Sequence, residues 1–384
     1  SVTAEGVNAI ALGTDAIASA EDSSSLGVEN SALGDESTAV GFSNYTSGRA
    51  SVAMGWDNDA INNDASAIGV DNSARGEDSS AIGADNTASG DYSSAVGSEN
   101  RTEGDYSTAV GYDNEANGVH SAAFGNNAIA DADHAIAIGT ALNSEAGTTV
   151  ATGATNGIAI GRNALVDTDA EDAIALGTNA TASGEESSAL GFENTSVGVG
   201  SSAIGWTNTA AGERSVAIGW NNEALTVGSA AIGVDNDSEG SQSAAMGVRN
   251  IAEGDRSSAV GFENRALGEA STALGAFAEA NADFSIVLGS AALNDPGTSV
   301  AAGADNGIAI GRNASVAAAG IDSIALGTGA SATAANSVAL GQDSVADVAN
   351  TISVGSSTNQ RRIVNVDEGT LSATSTDAVN GSQL

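Results

Sequence analysis

Apolar residues recur along this chain at one fixed interval. Glycines preceded by a large apolar residue, itself nearly always preceded by Ala, fall at Gly13, Gly27, Gly41, Gly55, Gly69, Gly83, Gly97, Gly111, Gly125 and Gly139, each 14 residues after the last. The register slips, resumes at Gly161 and Gly177, and runs at 14 again through Gly289. A second slip brings Gly311 and Gly327, and the pattern closes with Gly341 and Gly355. Asn156-Gly157-Ile158-Ala159-Ile160-Gly161-Arg162-Asn163-Ala164 returns 150 residues later as Asn306-Gly307-Ile308-Ala309-Ile310-Gly311-Arg312-Asn313-Ala314, so a long block is duplicated. Repetition on this scale predicts a solenoid of stacked units, each covered by its neighbours.

With the closing Gly as position 0, the columns can be read as faces. Position −2 is nearly always Ala (Ala67, Ala81, Ala95) and position +5 is small (Ala74, Ala88, Thr102, Ala116). Position +3 is usually Asn (Asn72, Asn86, Asn100, Asn114) and +7 is often Gly (Gly76, Gly90, Gly104, Gly118). Asn and Gly tolerate positive φ, so these two columns read as the turns of a coil with two short strands. Alternation along a strand sends −1 and −3 to one side and −2 and 0 to the other. If −2 and +5 face each other, Ala fills a flattened interior. The large −1 residues, Ile68, Ile82, Val96, Val110, Phe124, Ile138, Ile204, Ile218 and Ile232, then project outward as an apolar stripe that needs a partner. Identical chains around an axis would bury that stripe, which makes these residues candidates for the core of an oligomer. The rival arrangement places −1 inside a single roll. At the usual strand spacing, two dozen coils would stack to roughly 110–120 Å.

Composition supports a thin interior: only 3% of the 384 residues are aromatic, 49 are Gly and one is Pro. The 49 acidic residues outnumber the 11 basic ones, all Arg, for a net charge of −38. Such a surface repels nucleic acid and anionic membranes. The chain contains no Cys, so disulfides and thiolate chemistry are excluded. No apolar stretch approaches membrane-spanning length. A secretion signal and an anchor are expected outside this sequence if the protein is exported.

Asn336-Ser337-Val338-Ala339-Leu340-Gly341 and Ser215-Val216-Ala217-Ile218-Gly219 resemble the head repeats of YadA and its relatives, the trimeric autotransporter adhesins. Arg361-Arg362-Ile363-Val364-Asn365-Val366, continuing to Thr376-Asp377-Ala378-Val379-Asn380-Gly381-Ser382-Gln383-Leu384, resembles the neck that joins head to stalk. The resemblance implies an all-β, left-handed parallel β-roll of 14-residue coils, homotrimeric, over residues 1–355, with register-shifting insertions near 140–160 and 290–310. It implies a neck over 356–384 that leads to a coiled-coil stalk, and a cell-surface location through a β-barrel anchor in the bacterial outer membrane. Expected partners are the chain itself as homotrimer and an extracellular matrix protein, host cell or abiotic surface. A spacer that lifts a distal binding domain, and an ice- or mineral-binding solenoid, are the alternatives.

Candidate chemistry is sparse, and an enzyme is not expected. His120 and His134 occupy slots otherwise filled by polar residues and read as solvated. Ser93, Ser107 and Ser121 share a column with no base beside them and read as strand and turn hydrogen-bonders. Acidic columns at +2 (Asp57, Asp71, Asp85, Glu99, Asp113) and +8 (Glu77, Asp91, Asp105) would stack like charges one coil apart. They read as a solvated face, with weak divalent-cation binding as the alternative and no cofactor expected. The excess of acid over base also suggests adaptation to salt. Position +1 holds Phe42, Trp56, Tyr112, Phe192, Trp206, Trp220 and Phe262, seven of the 13 aromatics, either covering seams or serving as surface contacts.

Overall fold

The computed structural model describes residues 1–141, 147–291 and 297–384, and every regular element among them is a β-strand. The chain divides into two compact units, Ser1–Val248 and Arg249–Leu384, a division that falls within the repeat. Both are built from one coil. Ser66–Val70 forms its long strand, spanning −3 to +1, and Ser73–Ala74 its short one, at +4 and +5. Each strand pairs in parallel with its counterpart one coil away, Ala67 with Ala81 and Ala74 with Ala88. The result is a parallel β-solenoid. Since the next coil accepts the backbone N–H groups of the last, as Ser66 N–H to Ser79 O at 2.8 Å and Ser73 N–H to Asn86 O at 2.8 Å, no coil is satisfied alone.

The turns fall at the Asn and Gly columns, between the long and short strands, but the positive φ expected of those residues does not. Positive φ occurs at +2 and +9: Asp57 (56°), Asp71 (57°) and Asp85 (56°) in one turn, Asp64 (55°), Asp78 (55°) and Tyr92 (59°) in the other. Asp tolerates this left-handed geometry because its short side chain bonds locally. The +3 and +7 columns serve other purposes. A Cβ on Gly76 would stand 2.0 Å from the carbonyl oxygen of Gly90, so glycine there is required by the close approach of successive coils. At position 0 both requirements coincide: Gly69 has φ of 129° and its Cβ would meet Gly83 O at 1.9 Å.

Asn at +3 points inward. Asn86 Nδ2 donates to Asn72 Oδ1 (2.9 Å), to Gly97 O in the next coil (2.8 Å) and to Ile82 O (3.2 Å). Its own Oδ1 accepts from the Asn100 backbone N–H (3.1 Å) and from Asn100 Nδ2 (2.9 Å). The ladder runs from Asn30 to Asn114, whose Oδ1 ends it on the Ala128 N–H at 2.9 Å. In the second unit the same arrangement links Asn250 to Asn264 and ends on Ala278. Beside this ladder lie the Ala columns at −2 and +5, buried in all but the terminal coils, and Ser at −4, as Ser79, whose Oγ donates to Gly76 O at 2.7 Å. The expected Ala-filled interior is what forms, and the −1 column lies outside it.

Two coils in each unit depart from the period. Ile136 pairs with Ile158, 22 residues on, and Ile158 with Ile174, 16 on, before Ile174 pairs with Ser188 at the usual 14. Ile286, Ile308, Ile324 and Val338 repeat these steps. Within these wider coils, buried Val150, Val166, Val300 and Val316 take the place of the interior Ala. A longer loop thus goes with a larger interior residue. The insertions expected near 140–160 and 290–310 fall partly on residues 142–146 and 292–296, outside the described residues.

The last strand is Ile352–Ser353. Beyond it Arg361 reaches back to Ser344 Oγ (3.0 Å), Val354 O (2.8 Å) and Gln342 O, fastening the terminal segment to the final coils. Farther on, Asn380 Nδ2 donates to Val366 O at 3.0 Å, and the Asp377 carboxylate accepts from the Thr370 N–H at 3.0 Å, which holds its pKa below the ordinary carboxylate value.

The ladder yields a stability prediction. Asn86→Ala removes the partner of the Gly97 carbonyl and of two Asn100 N–H groups in a dry interior. The expected cost is about 3 kcal/mol in denaturant unfolding, since each stranded buried polar group costs ~1–3 kcal/mol. A loss below ~0.5 kcal/mol, as at an ordinary surface site, would refute a stabilising ladder.

Candidate adhesive surface

The outer face of the long-strand sheet is three columns wide, because −3, −1 and +1 alternate with the buried −2 and the glycine. On one coil it presents Val52, Met54 and Trp56, on its neighbour Thr38, Val40 and Phe42. All nine candidate core residues stand on this face. Ile82, Phe124, Ile138, Ile204 and Ile232 are exposed at 36–39%, and Ile68, Val96, Val110 and Ile218 are half-buried. A single chain therefore leaves its largest aliphatic side chains against water.

The +1 aromatics border this face. Trp56 (60%), Trp206 (57%) and Trp220 (55%) are the most open, Phe42 and Tyr112 are exposed, and Phe192 and Phe262 are half-buried. They touch one another across coils. Phe42 meets Trp56 edge-on at 5.5 Å between ring centroids, Phe192 meets Trp206 at 5.1 Å, and Trp206 lies beside Trp220 in the ladder. The 150-residue duplication carries the Phe42–Trp56 pair onto Phe192–Trp206. Arg249 lies over the Phe262 ring at 5.1 Å while its guanidinium pairs with Glu263 at 2.9 Å. Glu99 accepts the Tyr112 hydroxyl and pushes its pKa up.

The acidic columns are held by the backbone. At +8, Asp91 Oδ1 accepts the Glu77 N–H (2.8 Å), Asp105 Oδ1 the Asp91 N–H (2.9 Å) and Asp133 Oδ1 the Val119 N–H (2.8 Å). Each carboxylate satisfies a turn donor of the preceding coil, so the row needs no cation for its assembly. Among the described residues no group of three or more His, Cys, Asp or Glu is placed to hold a metal ion. At +9, Tyr92, Tyr106, His120 and His134 form an unbroken stack with centroid spacings of 4.9, 4.8 and 5.2 Å. Neither this stack nor the Asn ladder emerged from the sequence, although the Asn residues recur at 14-residue spacing and the Tyr and His rings share that spacing. Ser93, Ser107 and Ser121 are buried within the coil, away from any approaching substrate; Ser93 Oγ accepts from Thr102 Oγ1 at 3.0 Å.

With the coil, its columns and its terminal segment in view, comparison with known families becomes informative. The YadA head domain repeat matches residues 4–30, 32–58, 60–86, 88–114, 116–141, 169–194, 196–222, 238–264, 266–292, 318–344 and 332–358, most of the chain. The chain belongs to the YadA head family. The coiled stalk of trimeric autotransporter adhesins matches residues 362–384 of this YadA-type protein, within the segment that resembled a neck. No curated protein matches it. A crystal structure of the collagen-binding domain of the Yersinia adhesin YadA is similar at 27% identity, over 50% of this chain and 82% of that one, with a TM-score of 0.28.

Two carboxylates in the YadA-type coils are strained by burial. Asp59 and Asp237 have pKa values raised first by desolvation, then by neighbouring carboxylates, Asp57 for the former and Glu223 for the latter. A raised folded-state pKa favours the protonated fold. That contribution is complete below the ordinary carboxylate pKa and is lost as pH rises through the raised value. Asp59→Asn and Asp237→Asn should therefore raise the melting temperature at pH 7, and the gain should vanish as the pH falls through the carboxylate range. A gain that persisted unchanged at pH 3 would rule out this origin.

Proposed function

We propose that this YadA-type head is a non-enzymatic adhesive module displayed in three copies at the cell surface, attaching its bearer to a matrix protein, a host cell or an inert surface. One observation carries the reading: the family's head repeat coincides with an outward face whose −1 column is apolar along coil after coil. Burying half-exposed Ile and Val is worth about 25 cal/mol per Å² of apolar surface, and repetition multiplies the gain along the whole face. Three identical faces about an axis meet that demand with closed symmetry. The +1 aromatics then border the seams between chains, where open Trp rings supply contact area at little entropic cost. Attachment by many similar coils is attachment by avidity: each contact is weak, and three chains multiply it.

Two experiments test this. Sedimentation equilibrium should give a particle three times the 37.1 kDa chain, and a double Ile82→Asp, Ile204→Asp variant should shift toward monomer with its β spectrum retained. A monomeric wild type would overturn the placement of the −1 column at an interface. Separately, the trimer is presented to collagen, other matrix proteins, cultured cells and glass. Trp206→Ala with Trp220→Ala should weaken retention about ten-fold or more at constant fold, as removal of aromatic anchors does. Retention on none of these surfaces by an intact trimer would favour the spacer reading instead.

A further inference from the structure

The +9 edge of the coil carries a feature that adhesion does not use. The only two imidazoles of the sequence, His120 and His134, occupy the same slot on adjacent coils. Both are exposed, both have φ of 58°, and their rings lie 5.2 Å apart with only 8° between planes. Their backbones are fixed, His120 N–H to Asp105 O at 2.9 Å and His134 N–H to Val119 O at 2.8 Å. Tyr106 stacks on the far side of His120 at 4.8 Å and confines that ring from behind. Two borderline nitrogen donors are thus launched in parallel from a rigid edge, on a chain with no cysteine to compete for a metal.

We propose that His120 and His134 form a two-imidazole site for a divalent transition-metal ion, with Cu²⁺ bound most tightly. Neutral imidazole suits Cu²⁺, Ni²⁺ and Zn²⁺, and affinity for a given nitrogen site peaks at Cu²⁺. With metal–nitrogen bonds of about 2.0–2.1 Å, the two donor atoms must approach to about 3 Å, closer than the stacked rings stand. Both rings are exposed, so they have the freedom to tilt together, and the fixed backbone keeps the ordering cost low. Solvent supplies the remaining ligands. The surrounding field favours a cation: Asp133 precedes His134 and its carboxylate accepts the N–H of Val119, the residue before His120, on a chain of net charge −38. Oxygen-seeking ions such as Ca²⁺ gain less here, because the +8 carboxylates already accept backbone N–H groups.

The test is titration of the full chain with Cu²⁺ at pH 7.5 and fixed ionic strength, followed by calorimetry and by the nitrogen hyperfine pattern in electron paramagnetic resonance. The expected result is one tight ion per chain with two nitrogen ligands. His120→Asn and His134→Asn should each weaken binding about a hundred-fold, since the second imidazole acts as an intramolecular ligand. Asn accepts the left-handed backbone, and an unchanged far-ultraviolet spectrum confirms the fold. Two independent weak ions, each lost with one histidine, would overturn the proposal. So would one ion that survives both substitutions, which would place it on the carboxylates.

Discussion

Backbone meets backbone so closely in this protein that side chains are admitted only where the stacking leaves room. Successive coils approach at Gly69 and Gly76 to within a distance that a single added carbon would violate. From this follow the glycine columns, the left-handed turns at +2 and +9, and an interior shallow enough for Ala. It also fixes the energetic character of the fold. Ala methyl groups bury little apolar area, so hydrophobic burial inside a coil is modest. Hydrogen bonds between coils, from the backbone and from the Asn ladder, carry a correspondingly larger part of the order. The apolar area that a conventional domain would place inside is displaced to the outer face of the long-strand sheet.

Much of this architecture was legible from residue type and spacing. Alternation along a strand left two placements for the −1 residues, and the burial of Ala at −2 and +5 selects the one in which −1 points outward. The turns were placed in the right columns for the wrong reason, because Asn and Gly have more than one use. Positive φ is their common role, but Asn72 and Asn86 serve as internal amides, and Gly76 answers to steric crowding from the next coil. Sequence statistics register what a residue tolerates. They do not register which of its tolerances is in use. The aromatic stack at +9 was missed for a related reason: Tyr92, Tyr106, His120 and His134 look unlike one another in a table of properties, yet share a flat ring that stacks.

Charge is arranged with similar economy. A row of aspartates one coil apart would repel in isolation, yet Asp91, Asp105 and Asp133 each anchor a turn N–H of the preceding coil. Desolvation strains two carboxylates at the short strand, Asp59 and Asp237. The remaining negative charge lies at the turns, in water, where it favours solubility and resists indiscriminate sticking. On the proposed adhesive reading, contact falls to its uncharged parts, the Trp and Phe of the +1 column.

The wider coils put a different light on the 14-residue period. Ile136 pairs with Ile158 across 22 residues and Ile158 with Ile174 across 16, yet both pairings keep Ala aligned with Ala. What the fold conserves is the alignment of strands, and the length of chain between them is negotiable so long as the interior residue grows with it. Whole coils can then be copied or lost without disturbing the alignment of the strands that remain, and a 150-residue block of this chain is present twice. Coil number thereby becomes a heritable quantity that changes in steps of one repeat.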